Sequence, residues 1–168
     1  MYADLEVLDF DRFYERELAA VVAVVYALCG NRWAAEDLAH DAFAATYRRW
    51  KTIQTYERPG AFVRRVAINL AHSRARRLAA EARALARYTN GQSPSVLPLD
   101  PSERDFWNAV RRLPRRQKEV IALRYLEGYS EAEIAAVLGC SEATVRVHVH
   151  RAKEALSRTF RFDRGGDD

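Results

Sequence analysis

Residues 129–156 read YSEAEIAAVLGCSEATVRVHVHRAKEAL. Ser130 and Glu133 stand at the spacing with which a hydroxyl and a carboxylate satisfy the free backbone N–H groups of a helix start. Ile134, Ala135 and Leu138 recur at helical spacing and give one apolar face. Gly139 suits the left-handed conformation that ends a helix. Ser141 can cap a second helix, with Thr144 in its first turn. Val145, Val149, Ala152 and Leu156 lie near one face of that helix and can pack inward. Arg146, His150, Arg151 and Lys153 are left pointing elsewhere. A short helix, a glycine turn and a second helix with a polar, basic outer face make a helix-turn-helix, whose second helix enters a DNA groove.

Upstream of this pair, Pro114 starts a helix with Val120, Ile121, Leu123 and Leu126 as its core and Gly128 as its stop. Asp100-Pro101-Ser102-Glu103 supplies a cap, a first-turn proline and a capping acid for a helix through Phe106, Trp107 and Val110. The segment Thr89 to Pro101, TNGQSPSVLPLDP, is rich in turn formers and has no period, so it reads as a flexible linker. The chain therefore divides into a domain over 1–87, a linker over 88–100, a helix-turn-helix domain over 101–160 and a frayed tail over 161–168. In the first domain, Asp9 or Asp11 caps a helix to Leu28 with Phe10, Phe13, Leu18, Val21, Val22, Val25 and Leu28 as a broad apolar face. Gly30-Asn31 breaks it. Trp33 to Trp50 is a second amphipathic helix, with Leu38, Ala42, Phe43 and Tyr47 near one face. Pro59 opens a third through Phe62, Val66 and Ile68, and its basic pattern runs to about Arg87. No segment alternates as a strand does, and the fold class is all-α: two small helical domains joined by a flexible linker.

The 168 residues are 49% hydrophobic, enough for real cores, and the net charge is +4. Its distribution says more than its sum. Residues 1–57 carry six basic and ten acidic side chains, residues 58–91 carry eight Arg and one Glu, and residues 92–168 carry thirteen basic and twelve acidic. An acidic opening before an arginine-rich middle points to two different partners. Cys29 and Cys140 form no CxxC pair and no disulfide framework, which fits a reducing cytosol. The longest uncharged run, Leu18 to Asn31, is too short to span a bilayer and is flanked by charge, so no membrane span and a cytoplasmic location are expected. His148 and His150 stand two apart on a helix and point to different sides, and no His or Cys cluster has ligand spacing, so no metal is expected. No glycine-rich phosphate loop and no GxSxG turn is present, which leaves no catalytic residues, no cofactor and no small-molecule substrate to name.

Three segments together resemble a bacterial RNA polymerase sigma factor of the extracytoplasmic-function type. They are AAEDLAHDAFAATYRRW (34–50), PGAFVRRVAINLAHSRARR (59–77) and LPRRQKEVIALRYLEGYSEAEIAAVLGCSEATVRVHVHRAKEAL (113–156). The wording YERPGAFVRRVAIN is similar to an actinobacterial branch of that family. The resemblance implies a protein that binds core RNA polymerase, recognises promoter DNA with two domains and helps to open the duplex. Asp37, Leu38, Asp41 and Phe43 match the family's polymerase-docking pattern, with His40 where Gln is common. At the −10 element, the resemblance makes Ala67 to Ser73 a loop near an unpaired base. Asn69 is its base contact, Arg74, Arg76 and Arg77 hold the backbone beside Ser73, and Arg64 and Arg65 reach phosphates. Phe62 stands where Trp is common, and Ser73 where Asp is common. At the −35 element, Arg146, Val147, His150 and Arg151 face base edges or nearby backbone. Ser141, Thr144 and Lys153 fit phosphate contacts. An anti-sigma factor is a further partner that the family allows. The alternative is a dimeric regulator that binds DNA without polymerase and uses residues 10–87 to dimerise.

Overall fold

The structure, a computed structural model, describes residues 9–85 and 100–163. Its helices are α1 (Phe10–Cys29), α2 (Arg32–Tyr47), α3 (Trp50–Ile53), α4 (Pro59–Leu85), α5 (Pro101–Arg112), α6 (Arg115–Glu127), α7 (Glu131–Leu138) and α8 (Glu142–Asp163). Among the described residues there is no strand. Arg87, the linker over 88–99 and residues 164–168 lie outside the described residues.

Local chemistry sets most of the ends. Asp9 caps α1 by accepting from Asp11 N. Gly30, at φ 71°, closes it in the left-handed region that L side chains avoid. Asn31 Oδ1 accepts from Ala34 N at 2.9 Å and starts α2, so the pair read as a break is a stop followed directly by a start. Ser130 and Glu133 form the reciprocal capping box of α7, with bonds of 3.3 and 2.8 Å.

Three boundaries differ from the sequence reading. Helix α2 stops at Tyr47, and Trp50 opens the separate turn α3. Residues Ala67 to Ser73, expected as a loop, lie inside α4. No glycine or proline occurs between Ala61 and Leu85 to break that helix, and Ala67, Ile68, Ala71 and His72 are buried along it. Helix α8 runs to Asp163, so the first residues of the expected tail, 161–163, are helical.

Helices α1, α2 and α4 pack together, as do α5, α6, α7 and α8. Phe13, Val21, Val25, Leu38, Phe43, Val63 and Ala67 form the first core. The second core holds Val110, Ile121, Leu123, Ile134, Val145, Val149 and Leu156, and it also takes in Val24, Ala27 and Leu28 of α1 and Ile68 of α4. The broad apolar face of α1 thus serves two cores. Residues one position apart on a helix point about 100° from each other, so Val25 can face one half while Val24 faces the other. The halves meet directly: α1 touches α5 and α6, and α4 touches α7. Gly30 lets α5 come close, because a Cβ there would stand 2.7 Å from Arg111 Nε. The Arg111 guanidinium lies over the Tyr26 ring at 5.6 Å.

Candidate nucleic-acid interface

Helix α8 is built as its sequence pattern requires. Val145, Val149, Ala152 and Leu156 are buried. Ser141, Thr144, Arg146, Val147, His150, Arg151 and Lys153 are exposed, and His148 is half-buried. Val147 is 47% exposed, an apolar side chain held out among charges. Ser141 caps the helix: Thr144 N donates to its Oγ at 3.1 Å, and the two hydroxyls lie 2.8 Å apart. Arg146 is not loose. Its Nε and Nη2 donate to Glu131 Oε2 at 3.1 and 2.9 Å, which ties the second helix of the motif to the first. His150 Nε2 stands 3.7 Å from Glu154.

Helix α4 splits its basic residues in two. Arg76 and Arg77 are exposed and Arg74 is half-buried, on a helical stretch that leaves the body after His72. Arg76 Nη2 donates to Ser73 Oγ at 3.3 Å. Asn69 is exposed, beside a crevice lined also by Arg65, Arg116, Leu138 and Gly139. Arg64, expected at phosphates, is only 3% exposed. Its Nε and Nη2 donate to the two Glu127 oxygens, each at 2.8 Å. Its Nη1 donates to Glu17 Oε2 at 2.7 Å. Burial acts to lower the Arg64 pKa, but the bonds from Glu127 and Glu17 outweigh it and raise it further, so the guanidinium stays charged. Burial likewise pushes Glu17 up, and its bonds to Arg16 and Arg64 carry it below the usual carboxylate range.

Arg65 donates to Val137 O at 2.9 Å and to Ala136 O at 2.5 Å, in the last turn of α7. Those carbonyls lack helical partners and sit at the negative end of the helix. His72 Nε2 lies 2.5 Å from Glu119 Oε1, in close contact but poorly aligned for a hydrogen bond. Glu119 is fully buried and accepts from Arg115 and Arg116, both at 2.9 Å. Burial raises its pKa, and His72, Arg115 and Arg116 together hold it below its ordinary value.

On α2 the expected docking residues divide. Asp37 and Asp41 are exposed. Leu38 and Phe43 are buried in the first core, where they hold the helix rather than face a partner. The large exposed apolar groups of α2 are Trp33 at 70% and Tyr47 at 63%. Sequence reasoning missed Glu17, Glu119, Glu127 and Glu131 as partners of the basic residues. Glu119 carried a local signal, four positions after Arg115 and three after Arg116, whereas Arg64 and Glu127 are 63 positions apart.

Among the described residues, no group of His, Cys, Asp and Glu could hold a metal ion, and no helix is long and apolar enough to cross a membrane. Residues 13–81 match the family model "Sigma-70 region 2", and residues 103–156 match "Sigma-70, region 4". The RNA polymerase sigma-E factor of Streptomyces coelicolor is 32% identical over 156 residues, covering 90% of this chain and 85% of that protein. The ECF RNA polymerase sigma factor SigW of Bacillus subtilis is 27% identical over 174 residues, covering 95% and 89%. In fold the chain is similar to the sigma factor RpoE of Bartonella quintana, solved with the anti-sigma factor NepR. The TM-score is 0.77 at 24% identity, over 92% of this chain and 98% of that one.

Proposed function

We infer the working surfaces of this protein from one premise: the chain belongs to the sigma-70 family, in its extracytoplasmic-function group, and directs promoter-specific transcription with RNA polymerase. The observation that carries the assignment of surfaces is the joint presence of both sigma regions in one chain, with a capped helix-turn-helix in the second. A region 2 body over 13–81 also sets aside the dimeric regulator, which needs that segment only to dimerise.

Helix α8 lies in the major groove of the −35 element. Arg146 bridges the acceptors of a guanine, and Val147 meets a thymine methyl. Arg151, Lys153 and the Ser141–Thr144 helix start hold phosphates. Asn69 contacts a base of the opened −10 strand, since an amide both donates and accepts. Arg74, Arg76 and Arg77 hold its backbone. Asp37 and Asp41 steer α2 onto a basic helical surface of the polymerase, while Trp33 and Tyr47 supply apolar area. The protein performs no catalysis, needs no cofactor and works in the cytoplasm. An anti-sigma factor is a further partner that this reading admits.

In vitro transcription with core polymerase on a genomic fragment library, with start sites mapped, tests the reading. Defined start sites that depend on the protein are expected. Their absence on every template would overturn it. Asp41→Lys is expected to weaken binding to core with the fold intact, measured by affinity and circular dichroism.

A further inference from the structure

The cations on the outer face of α8 differ in what holds them. Arg146 is fixed, because its Nε and Nη2 both donate to Glu131 Oε2, at 3.1 and 2.9 Å. Among the described residues, neither Arg151 nor Lys153 pairs with a carboxylate. His150, one turn on from Arg146, stands 3.7 Å from Glu154, beyond hydrogen-bond reach. This sorting has a chemical sense. A phosphate accepts a cation from many directions, so a residue that holds the backbone gains from being free. A base edge asks for two donors at a set spacing and angle, so a residue that reads a base gains from being aimed.

The donors that Glu131 takes decide which ones are left. A guanidinium carries five N–H groups in one plane, one on Nε and two on each Nη. Glu131 closes the edge shared by Nε and Nη2. The edge shared by Nη1 and Nη2 keeps a parallel pair of N–H groups, and that fork matches the O6 and N7 acceptors of guanine. A side-on approach through Nε would first have to break the ion pair. The carboxylate is also firmly placed. Glu131 is the first residue of α7, directly after the Ser130 cap and inside the turn that the capping box fixes. A negative charge suits that end of a helix. The Glu131 side chain is 30% exposed and that of Arg146 is 66% exposed, so the anchor is sheltered and the fork is open. Helices α7 and α8 share one core through Ile134, Leu138, Val145 and Val149, which sets the distance between the two groups.

We propose that Glu131 is a positioning residue for base recognition: it holds the Arg146 guanidinium so that only the Nη1–Nη2 edge is offered to a guanine of the −35 element. The proposal rests on the placement of α8 in the major groove of that element. Its consequences run in opposite directions. Glu131 brings a negative charge towards a polyanion, so removing it favours DNA in general. Removing it also lets Arg146 adopt several geometries, which lowers the preference for one base. A tie that merely stabilised the fold would lower both together.

Holoenzyme reconstituted from core polymerase and the full chain tests this. The template is one mapped promoter randomised across its −35 element, and barcoded transcripts report the base preference at each position. Arg146→Ala is expected to erase a guanine preference at one position. Glu131→Ala is expected to weaken that same preference about two- to tenfold, the range set by the cost of ordering one long side chain. Preferences at the other positions are expected to stay, and initiation summed over all sequences is expected to be no lower than with the wild-type chain. Glu131→Gln, whose amide oxygen can still accept from Nε and Nη2, is expected to retain more of the preference than Glu131→Ala. The double variant is expected to match Arg146→Ala alone, since Glu131 acts through Arg146. Circular dichroism melting checks that each variant is folded. Equal losses at every position with Glu131→Ala, or a double variant that loses preferences which Arg146→Ala keeps, would make the pair a structural tie and overturn the proposal. If Arg146→Ala erases a preference and Glu131→Ala changes none, the positioning role alone is lost. If Arg146→Ala itself leaves every preference intact, base reading by Arg146 is lost and the positioning role falls with it.

Discussion

Helices α4 and α8 carry comparable basic patterns and meet opposite fates. On α8, the basic residues Arg146, Arg151 and Lys153 stand in solvent around an exposed valine. On the first half of α4, Arg64 is buried between two carboxylates and Arg65 is bonded to the carbonyl end of α7. The difference is one of neighbours. Helix α8 buries one face and leaves the rest outside. Helix α4 is covered by α1 and α2 on one side and α7 on another. A count of arginines therefore gives the charge available to a polyanion on α8, and overstates it on α4.

The largest expected effect concerns the buried charge. Arg64→Ala strands Glu17 and Glu127 in the interior and is expected to lower stability by about 3–5 kcal/mol. Lys153→Ala, on the open helix, is expected to stay within about 0.5 kcal/mol. Urea unfolding of both variants measures the contrast, and similar losses would break it. Arg146→Ala is expected to lose about 1–3 kcal/mol at one base of the −35 element and to relax specificity there. Competition binding with single-base variants of a mapped promoter reads this. A uniform loss across all sequences would make Arg146 a phosphate contact.

Acid offers a second probe. Glu119 is held below its ordinary pKa of 4.5 when folded. Its contribution is therefore fully present above that value and is lost as pH falls through the lower folded value. Thermal unfolding is expected to weaken progressively below about pH 4.5, and Glu119→Gln is expected to flatten that fall. An unchanged acid limb would remove Glu119 from the account. A modest loss is expected at the cap of α7: Ser130→Ala is expected to cost about 1 kcal/mol, read as a small drop in Tm.

Much of this was legible beforehand because it is local. Asp9, Gly30, Ser130, Glu133 and Gly139 act on backbone groups within four residues, and each does what its type requires. The inward valines of α8 obey a helical period, so its outer face follows from the sequence. Elsewhere local reading fell short. Residues 67–73 were expected as a loop from resemblance, although nothing in them breaks a helix. Leu38 and Phe43 match a docking pattern, yet apolar residues inside an amphipathic helix serve its own core first.

By itself, the order of residues determined the caps and periods of seven helices, a helix-turn-helix with its exposed face, and membership in a family that reads promoters in two places. Only the tertiary structure decided which arginines are free. Glu127 finds Arg64 across 63 positions, and such a pairing follows from how α1, α4, α6 and α7 stack. An ion pair depends on distance in space, and helical periodicity sets distance only along its own helix.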